Sequence, residues 1–205
     1  MSRNYSIFIV LWILVQLLVK VDCQTETFIP IQRILHTATF IDKLYILGGY
    51  NVTQSDDGGE IIGKQFFVND TSVTFEFPQW KDLTNINIIP AHAGAASVKG
   101  VDNKTLILYG GRTFEKNENM NSVYMFDTLN NTWSTYEETY PHKRSLSALI
   151  DSNGKMYLFG GRENNGEIVN KMLILDTVNL SWSEGSSLNA PCARINYGAI
   201  ILPNQ

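Results

Sequence analysis

The stretch NKTLILYGGR, residues 103 to 112, returns as NGKMYLFGGR, residues 153 to 162, and a third copy, DKLYILGGY, stands at residues 42 to 50. Each is a short run of strand-forming apolar residues stopped by two glycines: Gly48 and Gly49, Gly110 and Gly111, Gly160 and Gly161. Runs of this length that are apolar on both faces fit β-strands covered on both sides. The glycines permit a positive φ or the close approach of a neighbouring backbone. Self-similarity at a period of roughly 50 residues points to an array of supersecondary units rather than one globular core.

Two further landmarks recur in the same order. SVYMFDTLNNTW (122–133) and KMLILDTVNLSW (171–182) each place an acid six residues before a tryptophan, Asp127 with Trp133 and Asp176 with Trp182. The first unit is looser. Asp70 and Trp80 are ten apart, so either its turn is longer or Phe75 takes the tryptophan's place. Before the glycine pairs come PIQR, PHKR and PCAR, all P-x-x-R, ending at Arg33, Arg144 and Arg194; the second unit has Pro90 without the arginine. GAASVKG and SLSALIDSNG supply another strand each, and Asn153-Gly154 signals a tight turn into the next. The acids open turns between a third strand and a fourth. Such a four-stranded antiparallel unit cannot bury both faces alone and must stack on copies of itself.

These marks resemble the kelch repeat: the double glycine, an acidic position before a hairpin turn, and a tryptophan at this distance from the glycines. The resemblance covers residues 30 to 205, and LYILGG, GAASVKG, GKMYLFGGR and MLILDTVNLSW are most similar to secreted fungal kelch proteins labelled galactose-oxidase-like. It implies an all-β chain, a kelch-type β-propeller whose repeats are radial blades. Blades are expected at about 30–89, 90–140 and 141–190, with the first strand of a fourth at 191–205. Propellers close with roughly 4 to 8 blades, so this count does not close. Either the chain is a fragment of a longer product, or a short form completes its ring by self-association through open strand edges.

The N-terminus carries Arg3 and then an apolar run from Ile7 to Val19 broken only by Gln16. That run is shorter than the roughly 20 residues a spanning helix needs, so 1–23 reads as a signal peptide cleaved after Cys23, the alternative being an uncleaved anchor. The mature chain 24–205 keeps 14 basic and 19 acidic side chains and one cysteine, Cys192. An acidic balance without Lys or Arg runs argues against a nucleic-acid surface. A lone cysteine means that packing holds the core, with Cys192 either a buried thiol or a partner to a cysteine elsewhere. Five N-x-S/T acceptors, at Asn51, Asn69, Asn103, Asn130 and Asn179, accord with export.

No catalytic residue, cofactor or metal is expected from these residues. The glycine pairs end strands and do not open helices, unlike a phosphate loop. The acidic stretch NVTQSDDGGE at residues 51 to 60 lacks the ligand spacing of a calcium loop. His36, His92 and His142 fall in three different repeat registers, which does not suggest converging ligands. Trp80, Trp133 and Trp182 could form a sugar-stacking row, but equivalent positions in successive repeats favour packing between blades. Kelch resemblance implies that the loop carrying P-x-x-R lines a mouth of the central channel. Arg33, Arg144 and Arg194 are therefore candidate binding residues for a protein carboxylate or a sugar edge. The competing role is to cap strand carbonyls within the ring. The expected activity is a secreted module that binds protein or glycan at this mouth. The alternative is a fragment of a copper-radical carbohydrate oxidase whose site lies in further blades.

Overall fold

Alternating apolar side chains followed by paired glycines build three four-stranded antiparallel sheets among the described residues. The computed structural model describes residues 29–51, 62–72, 79–114, 120, 122–137 and 143–202. The leader at 1–23, Phe75, His142 and most of the acidic stretch 51–60 lie outside the described residues. The first sheet holds β1 (Thr37–Phe40), β2 (Leu44–Leu47), β3 (Phe66–Asn69) and β4 (Trp80–Asp82) in that order. A ribbon of β5 (His92–Ala93) and β8 (Arg112–Thr113) brackets the start of the second sheet. That sheet contains β6 (Ala96–Lys99), β7 (Thr105–Tyr109), β9 (Ser122–Asp127) and β10 (Thr132–Glu137). The third holds β11 (Ser147–Ile150), β12 (Lys155–Phe159), β13 (Met172–Asp176) and β14 (Ser181–Glu184). Among the described residues no helix is long and apolar enough to cross a membrane.

The sheets stack face to face as blades. Leu106, Leu108, Tyr124 and Phe126 of the second blade meet Tyr45, Leu47, Phe66 and Val68 of the first, all buried. On its opposite face Ile107, Tyr109 and Val123 meet Met156, Leu158, Leu173 and Leu175 of the third. Period-two alternation sends neighbouring residues of one strand to different blades, so β7 is buried from Leu106 to Tyr109 while β12 alternates buried and half-buried positions. Each fully buried large apolar side chain contributes about 1.5–3 kcal/mol. Most of the stability therefore resides between blades rather than within them.

The tryptophans belong to this packing. Trp133 stacks on Phe66 of the preceding blade at 5.5 Å and Phe126 of its own at 4.8 Å, and Trp182 on Tyr109 of the preceding blade at 4.8 Å. Register settles the looser first unit. Trp80 pairs with Asn69 as Trp133 pairs with Phe126 and Trp182 with Leu175. Trp80 thus holds the tryptophan position across a longer turn, and Phe75 is not its substitute. The acids act as expected for turn residues: Asp127 Oδ1 accepts from the backbone N–H groups of Leu129 and Asn130, and Asp176 Oδ1 from those of Val178 and Asn179.

Residues 191–202 follow the third blade but form no strand. An inner strand is held by the strand that follows it in its blade, as β1 is by β2 and β11 by β12. Among the described residues no such partner pairs with 197–202, which run as a lead-in segment. Cys192 lies in that segment and is exposed, which corrects the reading of a buried thiol.

Candidate functional site

At one end of the blades the chain turns from a glycine pair of one blade onto the lead-in of the next. Both glycines of every pair have positive φ, from 64° at Gly160 to 93° at Gly111. The second glycine donates its N–H across the blade junction: Gly49 to His92 O at 2.9 Å, Gly111 to Lys143 O at 2.9 Å, Gly161 to Arg194 O at 3.0 Å. Two residues further on lies a second ladder. Gly94 N–H donates to Leu35 O, Ser145 N–H to Gly94 O, and Asn196 N–H to Ser145 O, at 2.8, 2.7 and 3.1 Å. All four of these residues are left-handed, with φ between 53° and 71°. The ladder rims a shallow cleft of about 170 Å³ lined by Leu35, His36, Gly94, Ser145, Leu146 and Asn196.

The two ladders set the repeat register from backbone, and it departs from the P-x-x-R alignment by one residue. His92, Lys143 and Arg194 are equivalent as glycine acceptors, and counting back from Leu35 adds Arg33 to the set. Arg144 therefore does not share a position with Arg33 and Arg194. The segment from Pro141 is one residue shorter before its left-handed residue, so proline spacing misplaces the arginine.

Side chains in the first set turn back onto the chain. Arg33 donates from Nε to Ile31 O, from Nη1 to Gly48 O and from Nη2 to Gln65 Oε1, and its guanidinium lies 4.9 Å over the Phe67 ring. Arg194 Nε donates to Cys192 O at 3.0 Å. His92 is buried, with Nδ1 donating to Pro90 O, and burial pulls its imidazole down to about 4. Lys143 is fully buried, with Nζ 3.5 Å from Lys171 O; burial lowers its ammonium below the usual lysine range, against an opposing pull from Glu163.

Arg144 is different. It forms an antiparallel bridge with Arg162, the residue after the third glycine pair, through N–H···O bonds of 3.1 and 2.9 Å. Arg112, the residue after the second glycine pair, occupies the matching position opposite Ala93. Partners directly opposite in an antiparallel bridge project to the same face, where like charges destabilise. Burial first, then the guanidiniums of Arg112 and Arg162, hold Arg144 below the ordinary arginine range. Among the described residues the Arg144 side chain makes no ion pair, whereas Arg162 donates from Nη1 to Gly166 O at 2.9 Å. Three guanidiniums from two successive blades are thus close enough to act on one another. The sequence displayed Arg112 and Arg162 as the last letter of its two GGR copies, a signal that the proline spacing overshadowed.

His36 lines this cleft, and burial followed by Arg33 lowers its imidazole. Among the described residues no three His, Cys, Asp or Glu side chains are placed to hold a metal ion. Of the acceptor asparagines, Asn103, Asn130 and Asn179 are exposed, whereas Asn51 and Asn69 are buried.

Stacked four-stranded antiparallel blades joined through double-glycine corners define a kelch-type β-propeller architecture. The chain belongs to the Kelch-repeat family: residues 36–205 match the KLHDC2/KLHL20/DRC7 Kelch-repeats domain. It is 26% identical over 182 residues to the flagellar outer-arm dynein alpha chain of Chlamydomonas reinhardtii, covering 85% of this chain and 4% of that protein. Alpha-scruin of Limulus polyphemus is 25% identical over 160 residues, 75% of this chain and 16% of that protein. Kelch-like protein 41b of Danio rerio is 26% identical over 102 residues, 50% of this chain and 16% of that protein. The chain spans less than a fifth of each of these relatives.

Proposed function

We propose that this chain is an extracellular kelch-repeat binding module that takes an acidic segment of a partner protein at its arginine-bearing mouth. The Arg144–Arg162 pair with Arg112 beside it carries the reading. A cross-strand pair of like charges weakens the corner that bears it, whereas a carboxylate seated between guanidinium forks turns that repulsion into charge-assisted hydrogen bonds. Family membership supports a protein partner. Extracellular location rests on the leader pattern at 1–23, on the acceptor triplets and on the resemblance to secreted fungal kelch proteins. The oxidase alternative draws no support from the described side chains.

The test titrates the full chain with a fluorescent glutamate-rich peptide, read by anisotropy at low and high salt. Saturable binding that weakens with salt and is lost in the Arg144→Glu, Arg162→Glu double variant is expected. A single Arg144→Glu change converts the like-charge pair into an ion pair, so its unfolding midpoint should rise, by about 0.5 kcal/mol of stability, while binding falls. A peptide that binds the double variant as tightly as the parent chain refutes the proposal.

A further inference from the structure

The acceptor asparagines divide by rim. In a four-stranded antiparallel blade the turn between the first and second strands shares an edge with the turn between the third and fourth. The glycine corners and lead-in segments occupy the opposite edge. Asn103 sits in the β6–β7 turn, Asn130 in the β9–β10 turn and Asn179 in the β13–β14 turn, all exposed and all on the turn edge. Arg112, Arg144 and Arg162 sit on the corner edge. Asn69 also lies at the turn edge, but it is buried at 7% exposure between Leu44 and Trp80 in its sheet. Asn51 lies at the corner edge and is buried at 9%, while the rest of its triplet is outside the described residues.

A second observation marks the same turns. Leu129 precedes Asn130 and is 71% exposed, and Val178 precedes Asn179 and is 64% exposed. Val101, two residues before Asn103, is 43% exposed. Val101 and Val178 come from neighbouring blades and flank the same glycine, Gly154. Apolar side chains bare beside each exposed acceptor are what the apolar face of a first sugar covers. Two of the three acceptor amides are also placed for it. Asn130 Nδ2 and Asn179 Nδ2 each donate one hydrogen to the turn aspartate, at 3.1 and 3.0 Å. An amide nitrogen has two hydrogens, so a sugar replaces one and leaves that bond intact.

We propose that Asn103, Asn130 and Asn179 carry N-linked glycans, all on the turn rim, so that protein partners reach the chain only from the arginine rim. This rests on the extracellular reading above. In the transfer, Asn Nδ2 attacks the anomeric carbon of a lipid-diphosphate-linked oligosaccharide. The C1–N bond forms as the C1–O bond to the diphosphate breaks, the diphosphate leaves with the electron pair, and the amide proton passes to the transferase. A glycan at Asn69 does not fit the folded blade.

The full chain is expressed in a eukaryotic secretory host, with glycan sites mapped by mass spectrometry on luminal and secreted protein. Modification at the three turn asparagines is expected, with one glycan lost for each of Asn103→Gln, Asn130→Gln and Asn179→Gln and none for Asn69→Gln. Enzymatic removal of the glycans should leave binding of the glutamate-rich peptide unchanged. Translocated protein that is bare at these three sites, or folded secreted protein modified at Asn69, overturns the proposal and leaves the extracellular reading standing. A chain that stays outside the secretory compartment overturns both.

Discussion

Replacing Gly110 and Gly166 by alanine separates two costs that double-glycine corners combine. Both glycines are left-handed, with φ of 72° and 88°, and alanine in that region costs about 1–2 kcal/mol. They differ in surroundings. A Cβ on Gly166 meets nothing within 4 Å, whereas one on Gly110 lies 2.4 Å from Lys143 O, well inside the 3.4 Å at which ordinary contact begins. Lys143 O also accepts the Gly111 N–H at 2.9 Å across the blade junction, so moving it aside breaks that bond. A buried group left without its partner costs about 1–3 kcal/mol. Gly110→Ala should therefore cost about 2–5 kcal/mol and Gly166→Ala about 1–2. Gly160→Ala should fall between them. Its Cβ would meet Arg194 O at 2.5 Å, but residues 191–194 are exposed, so water can replace the Gly161–Arg194 bond when that carbonyl moves. Urea unfolding followed by circular dichroism gives the three midpoints. Equal losses at Gly110 and Gly166 would refute the claim that close backbone approach, rather than backbone conformation alone, demands the glycine.

The buried His92 has its pKa lowered to about 4, so the unfolded chain binds the extra proton between that value and the ordinary 6.5. Stability should be unaffected by this group above pH 6.5 and fall as the pH drops below it, by about 1.4 kcal/mol per unit, levelling near pH 4; His92→Asn should flatten that segment of the urea-midpoint profile, and an unchanged slope argues against a buried neutral imidazole. Trp182→Ala removes a ring stacked on the preceding blade and should cost about 3–5 kcal/mol. Trp80→Ala, at the equivalent register and likewise half-buried but without a ring contact to another blade among the described residues, should cost distinctly less in the same assay, and comparable losses would contradict packing between blades as the tryptophan's role.

Blade architecture was legible because its determinants are local and repeated. An apolar run, two glycines, an acid before a turn and a tryptophan each act through neighbouring backbone, so copies at one period spell out copies of one sheet. Trp80 shows the limit of that logic. Its ten-residue spacing from Asp70 left two readings open, and only the Asn69–Trp80 pairing decided between them. The arginine site was less legible for the same reason in reverse. Arg144 meets Arg162 through a bridge that joins the two ends of one blade's first hairpin, and no fixed spacing records such an encounter. Of the two readings of Cys192, burial is the one that failed, because exposure of a lead-in residue is set by packing that its own letters do not contain.

The one-residue offset between Arg144 and Lys143 divides basic residues with different work. At the corner position the backbone carbonyl makes the contact that joins blades, so the side chain is not needed for it. What Arg33, His92 and Arg194 share is a nitrogen donor that returns to the carbonyl two residues back, Ile31, Pro90 and Cys192 respectively. That bond stiffens the lead-in just before its left-handed residue, where a non-glycine such as Leu35 costs about 1–2 kcal/mol. A donor at the corner is thus explained by the corner itself. One residue later the side chain leaves the chain's own carbonyls and stands opposite the residue following a glycine pair. There Ala93 faces Arg112 and Arg144 faces Arg162. Nothing in the corner calls for charge at that position, and the Arg144–Arg162 pairing works against it. Charge at the first position serves the fold; at the second it is the charge that the proposed acidic segment would meet.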